Sequence, residues 1–346
     1  MNKLTKVGLS ALCGSLASVA ANAGTMEVLG GATATYTSNS KQVTGNPIGM
    51  NSALTFKGSG ELDGGTTFTL TVTGADQMGY TSGNINMVTP SLGSFKISSR
   101  TGGTGLGAYD DKMPTAWEES WGHGMGSGFD FQKGVASSMN IGWTSPSFMG
   151  TTLKLAVAPG AKNAAFVNDK AVSGDAGNSG SYDALIEMKP GFGVDALSGL
   201  TVWAGGSETE REGAVSTKNI SNHEEVNVGF TYAYGPVTVG FQRMGEFTGE
   251  RTAGNTDYYK NEAFGISFNV NDNLSISYGE FESMRHKVGS GATDKKVIGS
   301  TESFQVAYTM GGLSLKLAES SVTNASYSTA SASDHDGRTI ALSLAF

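Results

Sequence analysis

From Gly24 onward, apolar side chains recur at every second position over short stretches, the period of a strand with one apolar face. Met26, Val28, Ala32, Ala34 and Tyr36 open the series, and Leu54 with Phe56, then Phe68, Leu70 and Val72, continue it. A weaker run at Ile85, Met87 and Val88 precedes Phe95 with Ile97, then Met139, Ile141 and Trp143, then Leu153, Leu155 and Val157. Tyr182 to Met188 and Leu200 to Ala204 alternate in the same way. The clearest middle run is Val226, Val228, Phe230, Tyr232 and Tyr234, answered after Gly235-Pro236 by Val237, Val239 and Phe241. Hairpins follow at Phe264–Tyr278 across Asn271-Asp272-Asn273 and at Phe304–Leu317 across Gly311-Gly312, and Ile340, Leu342, Leu344 and Phe346 close the chain.

These runs predict about sixteen antiparallel strands. Their connections alternate between tight turns and polar loops, the latter expected near 208–222, 249–258, 286–300 and 323–337. The positions between the apolar ones are polar or small: Ser314, Lys316 and Ala318 in one strand, Thr339, Ala341, Ser343 and Ala345 in another. A closed barrel of about sixteen strands has a bore too wide to fill with side chains. The apolar face therefore points outward to lipid and the inner face to water. Backbone groups in hydrocarbon have no solvent partner, so the sheet must close on itself. The predicted fold is an all-β transmembrane up-and-down barrel. Tyr36, Trp143, Trp203, Tyr232, Tyr234 and Tyr308 fall near strand ends, where aromatic girdles are expected.

Composition sharpens this. With 50 Gly, 7 Pro and 38% apolar residues, the 346-residue chain lacks the long apolar runs of a large soluble core. After Gly24 no run approaches the roughly 20 residues of a membrane helix. Ahead of it, Lys3 and Lys6, the apolar Val7–Ala20 and Ala21-Asn22-Ala23 read as a cleaved export leader over residues 1–23. The barrel is then expected over 24–346. The single cysteine, Cys13, lies within that leader, and lipid attachment there is disfavoured by Leu12 before it. A net charge of −8 argues against a nucleic-acid partner.

The chemistry of catalysis is thin. His123, His223, His286 and His335 are dispersed and expected in solvated loops, with no Ser-His-acid or HExxH spacing. No metal site and no cofactor are expected. Gly103-Thr104-Gly105-Leu106-Gly107 has the glycines of a phosphate loop but no helix or βαβ unit after it. An enzyme, a plugged adhesive barrel and a substrate-specific channel for sugar or phosphate stand as alternatives to a simple channel. The last would show an aromatic slide or arginine ladder along the bore, and neither is clear.

Several segments resemble the general porin family of Gram-negative bacteria. Phe56-Lys57-Gly58-Ser59-Gly60-Glu61-Leu62-Asp63-Gly64-Gly65 is similar to that family's FKGSEDLGGG. Gly93–Arg100 resembles its fifth strand, and Asn140–Gly150 its SVRYDSPxFxG segment. The terminal Leu342, Leu344 and Phe346 resemble the outer-membrane insertion signal read by the barrel-assembly machinery. The resemblance implies a homotrimer in outer-membrane lipid and lipopolysaccharide that passes small hydrophilic solutes. It also implies a third external loop, here about 101–136, folded inward to narrow the bore. The small-residue stretch Gly30 to Ala34 would suit a flat subunit contact.

That loop is readable on its own. Met113 to Trp121 is expected as a short helix with Pro114 in its first turn. Trp117 and Trp121 would then share a face packed on the wall, with Glu118 and Glu119 toward water and Asp110 and Asp111 just ahead. Gly102, Gly103, Gly105, Gly107, Gly122, Gly124, Gly126 and Gly128 would permit the bends. Opposite, period two turns Lys57, Lys96 and Arg100 into the bore, and the family match makes Arg100 a constriction arginine. Gly31, Ala53 and Gly142 stand where many relatives carry a cation, which implies a wider, mildly cation-preferring pore.

Overall fold

The computed structural model describes residues 23–40, 45–76, 78–99, 105–135, 139–159, 178–191, 194–211, 221–289 and 295–345. The expected export leader over 1–23, except Ala23, lies outside them, as do Arg100 and Phe346. Sixteen strands follow in order: β1 (Ala23–Asn39), β2 (Ile48–Leu62), β3 (Thr66–Ala75), β4 (Gly79–Thr89), β5 (Gly93–Ser99), β6 (Asn140–Thr144), β7 (Thr151–Pro159) and β8 (Asn178–Met188). The second half is β9 (Leu200–Arg211), β10 (His223–Tyr234), β11 (Val237–Phe247), β12 (Thr256–Asn269), β13 (Leu274–Lys287), β14 (Lys295–Met310), β15 (Leu313–Thr323) and β16 (His335–Ala345). Each strand pairs antiparallel with its sequence neighbours, and β1 pairs with β16 from Gly31 opposite Ala345 to Asn39 opposite Gly337. Closure leaves no strand edge without a backbone partner, which a sheet in hydrocarbon requires.

Alternation along the strands separates two faces. On β16, Ile340 and Leu342 are exposed while Ala341 between them is fully covered. The exposed set includes Val226, Val228 and Phe230 on β10, and Phe304 and Tyr308 on β14. This apolar outer belt meets aromatic residues at the tight-turn end. There Tyr232 stacks on Tyr234 at 6.4 Å, and Trp143 Nε1 donates to the Leu92 carbonyl at 2.7 Å. Replacing Leu342 by arginine should cost roughly 2–4 kcal/mol in lipid vesicles, against under about 1 kcal/mol for Thr69→Arg on the inner face. Denaturant unfolding of the two variants in vesicles checks the asymmetry.

Two expectations about the barrel need correction. Trp203 is no girdle residue: it lies on the inner face, 3% exposed, and its Nε1 donates to Asn227 Oδ1 at 2.8 Å. Its parity with outward Val202 and Ala204 requires this. The loop expected over 286–300 is also shorter, because β13 runs to Lys287 and β14 starts at Lys295. Strands β11 to β16 outrun the apolar belt at this end, and their outward positions become charged. Arg243 pairs there with Glu262, and Arg338 with Glu319. Glu262 faces Glu282 across the ladder, and Glu280 faces Glu302.

The bore is not uniformly wet. The main buried apolar cluster lies inside the barrel, where Leu106, Tyr109, Met113, Met125 and Phe129 of one long connection pack on Leu185, Trp203, Met244 and Phe281 of the wall. The inner faces of β8 to β16 are thus buried where that connection covers them. Those of β1 and β2 stay open, with Glu27 and Lys57 each nearly half exposed.

Candidate functional site

The long connection between β5 and β6 is described from Gly105 to Val135. Besides that apolar packing, it is held to the wall by side chains that accept from or donate to its backbone. Asp183 on β8 accepts from the Leu106 amide at 2.9 Å, and Glu225 on β10 accepts from Lys133 and Gly134 at 3.0 and 2.6 Å. Two wall carboxylates therefore clamp the two limbs where they approach each other. The approach is close: a Cβ on Gly105 or Gly134 would lie 2.3 or 2.4 Å from Asp183 Oδ2, and Gly134 has φ +57°. Glycine is required at both positions.

Between the limbs, Asn227 and Gln242 both donate to the Tyr109 carbonyl, and the Tyr109 hydroxyl bonds Glu187 and Lys154. Ser277 on β13 accepts from the Ala116 amide at 2.8 Å. Gln305 on β14 accepts from the amides of Trp117 and Glu118, both at 3.1 Å, and donates to the Glu118 carbonyl. Thr339 donates to the His123 carbonyl at 2.9 Å, and His335 Nε2–H donates to the Met125 carbonyl at 2.6 Å. Asn261 donates to the Asp130 carbonyl, and the Tyr327 hydroxyl accepts from the Asp130 amide.

The short helix expected over Met113–Trp121 does not form. Its amides at 116, 117 and 118 donate outward to Ser277 and Gln305 instead of back along the chain. The only helical turn of the described connection is a 3-10 turn at Leu106–Tyr109. The tryptophans still pack, by different means. Trp121 sits 4.6 Å from Phe281 and 4.9 Å from Phe131, while Trp117 rests 4.7 Å from His123 with Lys316 Nζ 5.8 Å over its ring. Of the glycines expected to bend the segment, Gly124, Gly126 and Gly128 have φ of +70°, +63° and +62°, while Gly102 and Gly103 lie outside the described residues.

The four predicted acidic residues lie together on this connection. Asp111 is exposed, 3.8 Å from Lys112. Asp110 is partly buried, and that burial, with Asp111 beside it, pushes its carboxyl up to about 6. Glu119 is less open to water than expected. Burial, then the hydrogen bond its protonated carboxyl donates to Glu118, raises it to about 8. Burial also lowers His123 to about 4, so its ring is neutral at pH 7.

Of the predicted basic residues, Lys57 lies 3.4 Å from Glu27, directly across from it in the ladder. Lys96 is on the inner face of β5 and partly buried. The sequence reading missed Glu27, which matches Lys57, and the pair Lys154 with Glu187 at 3.5 Å; Lys316, already read on the inner face, covers Trp117. Parity alone would have found Lys154, which alternates with Leu153 and Leu155. The histidines are not solvated loop residues. His223 and His335 begin β10 and β16 and His286 lies within β13, while His123, His286 and His335 are buried. Ladder length, invisible in the local polar sequence, moves them onto the wall.

A model of the Gram-negative porin family matches residues 8–345. The search of curated proteins finds no match. Among solved structures, the chain is similar to the anion-selective porin from Comamonas acidovorans, with TM-score 0.63 and 13% identity over 93% of this chain and 99% of that one. Similarity to Salmonella typhi OmpF in complex with daunomycin has TM-score 0.65 and 11% identity over 93% and 97% of the two chains. The trimer form of OmpT from Vibrio cholerae gives TM-score 0.63 and 11% identity over 93% and 99%.

Proposed function

The chain belongs to the Gram-negative porin family, outer-membrane diffusion channels by family and fold, and from that premise we propose a channel of low solute specificity with a mild cation preference. The carrying observation is a charge imbalance. On the wall, Lys57 and Lys154 are already matched by Glu27 and Glu187. On the connection, Asp110, Asp111, Glu118 and Glu119 make, among the described residues, one ion pair, Asp111 with Lys112 at 3.8 Å. Segment 105–135 acts as the constriction, with these carboxylates on one side and Lys57 and Lys96 on the other; Arg100, expected beside them, lies outside the described residues. A narrow wet gap bounded by excess carboxylate admits K⁺ over Cl⁻ and leaves small neutral solutes to be sorted by size.

The protein works as a homotrimer, as the Vibrio cholerae neighbour's trimer form suggests. Its outward wall contacts outer-membrane lipid and lipopolysaccharide. Leu342 and Leu344 face outward, and with Phe346 they serve as the signal read by the assembly machinery.

Reversal potentials in a KCl gradient across a planar bilayer test the reading. Because the carboxyls of Asp110 and Glu119 are raised to about 6 and about 8, they are protonated and neutral below those values. Cation preference should therefore be weakest near pH 5 and should grow as each ionises toward pH 9. Chloride preference at both ends of that range would sink the proposal.

A further inference from the structure

On the inner wall, at the end of β10 and β11 away from their tight turn, three ligand-type side chains converge. Glu225 and Glu246 stand directly opposite each other in the ladder, and His223 lies two residues before Glu225 on the same face. Their ligand atoms all lie within 4.8 Å of one another. The carboxylates are 3% and 5% exposed. Like charges opposed across a ladder repel, and burial strengthens the repulsion.

The local charges do not settle it. Asp130 adds a third carboxylate, and the nearby cation, Lys133, turns its Nζ to Asp130 at 3.0 Å. Lys133, shared with Asp130, offsets the two glutamates only in part, and with a neutral imidazole the group stays short of positive charge, which one divalent cation would supply. A second observation points the same way. Glu246 Oε2 is buried without a hydrogen-bond partner, and so is His223 Nε2. That nitrogen lies 3.3 Å from a carboxylate oxygen of each glutamate, yet bonds neither. An imidazolium would aim its proton at one of them. Ligands on a tetrahedral zinc with bonds of about 2.0–2.1 Å are instead held about 3.3 Å apart.

We propose that His223, Glu225 and Glu246 form a site for a first-row divalent cation, zinc by its donor chemistry, with a fourth position open to water. One imidazole nitrogen with two carboxylates suits zinc, whereas calcium takes six to eight oxygens. Glu225 also holds the amides of Lys133 and Gly134, so the ion would fasten the second limb of the connection to two strands at once. The site does not depend on the cation preference proposed above, which is read separately from reversal potentials.

Zn²⁺ titrated calorimetrically into the metal-stripped, refolded porin in detergent should bind at one ion per chain. His223→Ala and Glu246→Gln should each weaken binding at least about tenfold. Crystals of the unsubstituted protein grown with Zn²⁺ should show an anomalous peak among the three side chains, a readout that stands even if the variants fail to fold. Absence of Zn²⁺ binding, affinity unchanged in both variants, a peak elsewhere, or binding of Ca²⁺ in preference to Zn²⁺ would each overturn the assignment.

Discussion

Phe281→Ala should destabilise the folded barrel by roughly 3–5 kcal/mol, the usual cost of emptying a buried phenylalanine site. Phe281 is 1% exposed on the inner face of β13, and its ring meets Trp121 at 4.6 Å, Phe131 at 4.9 Å and Phe129 at 6.0 Å. Those partners all come from the long connection, so the void opens between it and the wall. Edge and face contacts among these rings add about 0.5–1.5 kcal/mol per pair to the area term. Denaturant midpoints in detergent read the loss, and protease cleavage within 105–135 should appear well before the strands open. A midpoint within experimental scatter of the unsubstituted protein would show that the ring cluster does not anchor this segment.

Gln305→Leu is expected to act more locally and almost as strongly, at roughly 3–5 kcal/mol, because three backbone groups lose their partner together. Gln305 is 1% exposed and serves the amides of Trp117 and Glu118 and the carbonyl of Glu118. Leucine fills the volume but bonds none of them, and a buried donor left unmade costs about 1–3 kcal/mol. Since no helix exists to accept those amides, the segment must lift toward water to satisfy them. Larger single-channel conductance with more open-state noise should follow. Gln305→Glu keeps the acceptor for the two amides but loses the donor to the Glu118 carbonyl, so it should restore only part of the native behaviour. Unchanged conductance and noise in the leucine variant would show that the bore is not set by this contact.

The barrel itself was legible because lipid leaves so few options. Leu342 and Leu344 alternate with Ala341 and Ser343, and only a closed sheet lets that pattern survive in hydrocarbon. The same parity already put Trp203 inside, between Val202 and Ala204, but its place near a strand end drew it toward the girdle. The long connection was harder. Pro114 with Trp117 and Trp121 four apart is a fair helix signature, and it fails because Ser277 and Gln305 capture the amides first. Those partners lie more than a hundred and fifty residues away, and no local pattern announces them. His223 and Glu225 share a face by period two, while Glu246 joins them only through the register of β10 with β11.

The lopsided interior decides where permeability can be altered. A solute crossing the pore brushes β1 and β2 directly, but meets the opposite wall through the segment laid over it. Substitutions at Thr33 or Thr55 should therefore change throughput in proportion to the bulk and charge they add. Changes beneath the segment should leave passage untouched until they loosen their cover, and then alter it abruptly. One half of the cylinder behaves as a dial and the other as a latch.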